Sequence, residues 1–337
     1  MNKLFVESSP HIRSAWTTQK IMLNVIIALC PALIMSTYIF GIKALLMTVI
    51  CCTSCVLLEF LFNKVTKRED TISDLSAVVT GMLLAFNLPV DLPIYMAIIG
   101  CFVAIVIVKC LFGGIGQNFA NPAITARIVL MMSFAGAMTK WTAPFSWKDG
   151  VDATVSATPL AAMSGVDFKE LSLGQLFNST VTGTEIPSIM DMFLGFRAGC
   201  LGETCVAALL LGGLYLMFIG LIRPATPLCF IGTVAVLSFF YGGCDVNFML
   251  YQLMSGGLIL GAFFMATDYA TTPLTTKGKI VFGVGCGLIT FAIRQFASMP
   301  EGVSFSILVM NCLTPLIDRY TAPRALGAVK PKKEGKQ

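Results

Sequence analysis

Three polar stretches interrupt an otherwise apolar chain, and each carries reactive or hydrogen-bonding groups at short intervals. The first is Asp152-Ala-Thr-Val-Ser-Ala-Thr158-Pro-Leu160, with two hydroxyls, Ser156 and Thr158, among small residues and an acid six positions before the threonine. Small neighbours leave the Thr158 hydroxyl open to approach, and Pro159 biases Thr158 toward an extended backbone that cannot hide it in a helix. The plainer alternative is a Ser/Thr-rich loop selected by turn preference. The second stretch is Gly113-Gly-Ile-Gly-Gln-Asn118-Phe-Ala-Asn121-Pro122, and the third is Thr267-Asp268-Tyr-Ala-Thr-Thr272-Pro273-Leu-Thr-Thr-Lys277-Gly. Both hold more polar chemistry than a connector needs, and both also admit structural readings. Asn121 suits an N-cap with Pro122 at the first helical position, and Asp268 suits an interfacial charge paired with Lys277. The glycine run follows an apolar stretch with no βαβ pattern around it, so it is not a dinucleotide fingerprint.

The elements that must position these groups are membrane helices. The chain has 337 residues, 56% hydrophobic and 12% charged, far from the composition of a soluble domain. The first apolar run lacks a small-residue cleavage site and reads as a retained helix. About ten runs are long enough to approach a bilayer crossing, near 21–40, 42–62, 74–90, 92–112, 121–139, 201–221, 225–242, 248–267, 279–297 and 302–318. They are continuously apolar instead of alternating, which predicts helices and not barrel strands. The third and last are short and punctuated by Asn87, Pro89 and Pro315, as broken or half-spanning helices would be.

Charge asymmetry predicts orientation. With the N-terminus in the cytoplasm, Lys3, Arg13, Lys20, Lys64, Lys67, Arg68, Lys109, Arg127, Arg223, Lys277, Lys279 and a basic tail fall on that side. The short loops opposite hold Lys43 and Arg294 beside Asp91, Asp245 and Glu301. Both termini are then cytoplasmic, and the excess of five positive charges is a topology signal that gives no reason to expect a nucleic-acid partner. The chain divides into a first membrane repeat over 1–139, an extracytoplasmic segment over 140–200, a second repeat over 201–320 and a basic cytoplasmic tail over 321–337. Five helices per half require the halves to be inverted. Weak similarity between Gly81-Met-Leu-Leu-Ala-Phe-Asn-Leu-Pro and Gly261-Ala-Phe-Phe-Met-Ala-Thr-Asp-Tyr agrees with that.

The twelve cysteines match no iron–sulfur spacing and read as small packing residues, with a Cys200–Cys205 disulfide conceivable at the outer surface. The one histidine, His11, excludes His-based metal or triad chemistry. Glu59, inside an apolar run, is expected to pair with Lys64.

These motifs resemble a family of membrane redox subunits. It comprises the D subunits of Rnf ferredoxin:NAD+ oxidoreductase complexes and the B subunits of Na+-translocating NADH:quinone oxidoreductases. Asp152-x-x-x-x-Ala157-Thr158 resembles the family's flavinylation motif, with Val155 where Ser or Thr is usual. The Gly113–Ala123 and Thr267–Pro273 stretches resemble its two loop signatures. The first helix begins near residue 21 without a long extension, which favours the Rnf branch. The resemblance implies a urea-transporter-like fold of five plus five inverted helices. It also implies FMN held covalently on Thr158 through its phosphate, and a non-covalent riboflavin hydrogen-bonded by Asn118, Asn121 and Asp268. The function implied is electron passage between flavins in a complex that translocates Na+ or H+. The partners would be an extracytoplasmic FMN subunit, membrane iron–sulfur subunits and the lipid bilayer. The quinone-reductase subunit and a non-redox channel of the same fold stay open as alternatives.

Overall fold

The computed structural model describes residues 16–68, 71–147, 160, 187–297 and 302–323. Asp152, Thr154, Val155, Ser156 and Thr158 lie outside them. Within the described residues the chain is helical. In order the helices are α1 Thr18–Phe40, α2 Ile42–Thr66, α3 Ser76–Phe86, α4 Ile94–Cys110, α5 Pro122–Ser133, α6 Ala135–Met138 and α7 Ile189–Leu194. There follow α8 Val206–Phe218, α9 Ala225–Tyr241, α10 Val246–Met254, α11 Leu258–Met265, α12 Thr276–Phe296 and α13 Val303–Thr321.

Three of these, α1, α2 and α12, are long and apolar enough to cross a bilayer alone, and α10 with α11 adds a fourth span bent by 66°. The remaining apolar helices α3, α4, α5, α8 and α9 fall below that length, so among the described residues three or four spans are clear by length and composition. Ile34, Leu57, Leu211, Phe218 and Phe240 point outward, a distribution suited to lipid contact and unlike a soluble surface. This is a membrane protein.

Two departures from the expected helix pattern have local causes. The run 248–267, expected to be continuous, breaks at Ser255-Gly256-Gly257, where Gly256 takes φ +62°, a left-handed conformation that glycine adopts without steric cost. The final helix, expected to be interrupted at Pro315, runs through it from Val303 to Thr321. Proline costs the helix one i→i−4 bond, that to Asn311 O, and the packing of α13 on α12 and α5 holds the helix through it. Two segments wind more loosely still, with π-type bonds from Leu111 N to Val106 O (3.0 Å) and from Ala266 N to Gly261 O (2.7 Å).

Helix α1 packs along α8, α2 along α3 and α4, α9 along α12, and α13 along α12 and α5. Small residues permit the close approaches, as expected where packing and not hydrophobic exclusion drives association. A Cβ on Gly81 of α3 would stand 2.8 Å from Cys52 Cα of α2, so that crossing needs glycine.

Candidate functional site

Helices α1, α3, α4, α5, α8 and α11 enclose a cavity of about 130 Å³ at the end of the bundle where α1 begins. Ile21, Met22, Val25, Leu216, Leu221 and Phe264 supply apolar walls, and Ser76, Thr80, Lys109, Asn118, Asn121 and Asp268 supply polar ones. Asn118, Asn121 and Asp268, far apart in sequence, therefore line one cavity.

Their roles differ. Asn121 is the N-cap of α5: its Oδ1 accepts from Ala123 N (3.1 Å) and Ile124 N (3.4 Å), and its Nδ2 donates to Met265 O at 3.3 Å. The structural reading of Asn121 with Pro122 is thus realised, and the same side chain ties α5 to the π segment of α11. Asn118 is different. Its Oδ1 is buried and accepts no hydrogen bond, although a buried carbonyl acceptor left unpaired costs about 1–3 kcal/mol. It calls for a donor that no described residue supplies.

Asp268 forms no ion pair with Lys277, contrary to the simplest sequence reading. Its carboxylate accepts from Ala270 N and from the Thr271 hydroxyl, both at 3.3 Å, while Thr272 Oγ1 donates to its backbone oxygen at 2.7 Å. This is an Asp-turn closed on itself. Burial pushes the Asp268 carboxyl above the usual carboxylate range, against the two hydrogen bonds that pull it down.

Sequence reasoning misses Lys109 as a site residue and assigns its partner wrongly. Glu59 pairs with Lys109 at 2.7 Å, not with Lys64, and both side chains are buried. Lys109 Nζ also donates to Ser76 Oγ at 2.7 Å, and the Thr71 hydroxyl donates to Glu59 at 2.6 Å. Lys109 and Ser76 both reach the cavity wall, so the pair fixes a compensated charge beside it. A lysine at the end of an apolar run is the available signal; reading it only as a topology charge hides it.

A second buried polar cluster lies away from the cavity. Arg127, another residue that charge asymmetry alone explains as a topology signal, is buried in α5 and donates to Asn87 Oδ1 and to Glu203 Oε1 (3.3 Å). Cys200 and Cys205 are free thiols, not a disulfide. Cys200 lies 3.4 Å from an Arg127 guanidinium nitrogen, and Cys205 accepts from Ala208 N as the cap of α8.

The arrangement at the cavity suits a planar, polar-edged organic molecule. Apolar walls would take its faces, an unfilled acceptor would take one N–H or O–H donor, and the Asp268 turn and Lys109 offer further polar contact. The isoalloxazine ring that the sequence resemblance implies carries an N–H and carbonyl edge of that kind. The enclosed space is near that of a single aromatic ring, by comparison with a ~150 Å³ cavity that admits benzene, so a tricyclic ligand would extend into the cavity mouth.

Residues 5–327 match the family model described as the NQR2, RnfD, RnfE family. The chain is 47% identical over 335 residues to the D subunit of the Na(+)-translocating ferredoxin:NAD(+) oxidoreductase complex of Acetobacterium woodii, covering 99% of this chain and 98% of that one. It is 42% identical over 329 residues to the D subunit of the proton-translocating ferredoxin:NAD(+) oxidoreductase complex of Clostridium ljungdahlii, covering 97% of each. To the D subunit of the ion-translocating oxidoreductase complex of Stutzerimonas stutzeri it is 38% identical over 339 residues, covering 94% and 93%. With the match running over nearly the whole length, the chain belongs to the NQR2, RnfD, RnfE family.

Proposed function

We propose that the protein is the D subunit of an ion-translocating ferredoxin:NAD+ oxidoreductase complex and carries two flavins. FMN would be esterified to Thr158 and riboflavin held in the cavity lined by Asn118, Asn121 and Asp268. The observation that carries this reading is the buried Asn118 Oδ1, without a partner, on the cavity where the family's two loop signatures converge. When bound, the flavins supply the one- and two-electron chemistry and this chain sets their environment. Asn118 would accept from the ring edge, while Asn121, already committed to capping α5, holds the loop in place. Lys109 would present a fixed cation whose charge Glu59 offsets. The B subunit of a quinone reductase and a non-redox channel are the competing readings; the sequence relatives favour the first assignment.

The same reading gives ten membrane segments as two inverted sets of five. Helix α1 packs on α8 and α5 on α13, each the counterpart of the other in such a repeat. Both termini and the cavity would face the cytoplasm, with residues 140–200 outside next to an FMN-bearing partner, and iron–sulfur subunits would flank the helices within the bilayer.

Purified protein tests this directly. It should be yellow and fluoresce at its own mass in a denaturing gel. Thr158→Ala should abolish that fluorescence while Thr154→Ala and Ser156→Ala keep most of it. A colourless protein, or fluorescence surviving in Thr158→Ala, would refute the covalent assignment.

A further inference from the structure

The two helix interruptions end in one buried cluster, and what fills it bears on ion movement. Helix α3 has 11 residues, ~17 Å at 1.5 Å per residue, or about half of a ~30 Å hydrocarbon core. Helices α10 and α11 are half-spans as well, meeting at the 255–257 break. The carboxyl-terminal ends at 86–88 and 252–255 therefore lie deep in the membrane. In membrane carriers, broken-helix ends of this kind turn carbonyl oxygens and the negative end of the helix dipole toward a coordinated cation.

Here the chain's own guanidinium groups occupy those positions. Arg294 donates to Gln252 O at 2.6 Å and to Ser255 O at 3.0 Å, and Arg197 donates to Met254 O. At the other end, Arg127 donates to Asn87 Oδ1 at the terminus of α3. The 200–203 segment closes carbonyls at and just past the end of α3, with Gly202 N on Phe86 O (2.8 Å) and Leu201 N on Leu88 O (3.2 Å). Glu203 joins the arginines: its carboxylate meets Arg127 and its backbone oxygen accepts from Arg197. Arg127, Arg197 and Glu203 are all buried.

We propose that this cluster is a fixed cation plug. Tethered guanidinium groups hold the carbonyl sites that a small monovalent cation would otherwise use, and so close the route between the two broken helices to Na+ and its like. Any cation the complex moves then crosses elsewhere. This inference does not depend on the flavin assignment.

The test is passive ²²Na+ uptake, without redox substrates, into vesicles carrying the full-length chain with its native partners. Wild type should be tight. Arg294→Met, which frees the Gln252 and Ser255 carbonyls and removes a cation, should raise uptake at least about tenfold, since one unit charge at such range alters a barrier by that much or more. Arg294→Lys keeps a tethered cation and should stay tight. Glu203→Gln leaves every arginine in place and makes the cluster more positive, so it too should stay tight. Equal leakage through Glu203→Gln and Arg294→Met would show a merely structural cluster and overturn the proposal, as would a tight, fully assembled Arg294→Met. Should Arg294→Met not assemble, Arg294→Gln, which keeps a donor for the helix carbonyls but no charge, decides: a sodium leak supports the plug and a tight assembly refutes it.

Discussion

The cavity at the start of α1 and the arginine cluster between the broken helices are both polar regions inside an apolar chain, but they solve burial in opposite ways. In the cluster, Arg294 and Arg197 donate to the 252–254 carbonyls, and an unpaired group there is a donor, Arg294 Nε. At the cavity, space remains and Asn118 Oδ1 has no partner. Polar groups closed on each other make no demand for a ligand, and any change there leaves a buried charge or carbonyl without its partner. A polar group left open beside a void is a demand for a ligand. Mutational cost should therefore fall on stability in one region and on retention of a bound molecule in the other.

The largest effect is expected from breaking the buried pairs. Arg127→Ala leaves Glu203 without its guanidinium, and Lys109→Ala does the same to Glu59. Removing one partner of a buried pair costs roughly 3–5 kcal/mol, which should appear as a lowered melting temperature or lost assembly. Replacing Lys109 and Glu59 together by Met and Leu should recover most of that loss. Failure to recover would mean that the charges do more than satisfy each other.

A middle-sized effect belongs to the cavity. Asn118→Ala removes one acceptor from a bound donor, worth roughly 0.5–1.5 kcal/mol net, and should lower riboflavin retention several-fold with the melting temperature unchanged. Acid extraction and quantification of released riboflavin, beside thermal denaturation, reads both. A melting temperature that falls while retention holds would erase the distinction between the two regions.

The smallest effect lies at the exposed rim. Lys43 and Asp91 pair at 3.0 Å and Thr142 donates to Asp91 at 2.7 Å, but Lys43 is 64% exposed. Burial alone would raise the Asp91 carboxyl; the Thr142 hydroxyl and Lys43 outweigh it and hold the carboxyl below the usual range. A depressed carboxyl contributes stability above its unfolded value, and that contribution disappears as pH falls through the lower folded one. Because the pair is screened, Lys43→Ala should cost less than ~1 kcal/mol, seen as a small melting shift near neutral pH that vanishes in acid.

The unequal legibility of the two regions follows from distance along the chain. Asn118, Asn121 and Asp268 are visible because polar groups at the ends of apolar runs stand out, and the Asn121-Pro122 cap is a local pattern. Partners are not visible where they lie tens of positions apart. Glu59 looks as if it belongs to nearby Lys64, whereas helix packing brings it Lys109. Arg127 counts as a topology charge because nothing in its neighbourhood announces Glu203. The break at Ser255-Gly256-Gly257 has its glycines in plain view, yet apolar residues on both sides keep the hydropathy of one span. Pro315 misleads in the other direction, since the helices α12 and α5 that pack on α13 and hold it continuous come from distant parts of the chain.

The occupant of the cavity is the most direct test of the flavin assignment. An experimental density map of the protein purified without added flavin should show a planar three-ring molecule reaching from the mouth into the space between Asn118 and Asp268, with a donor within hydrogen-bond distance of Asn118 Oδ1. A cavity filled by a lipid chain, or an Asn118 side chain whose Oδ1 is bonded within the protein, would contradict it.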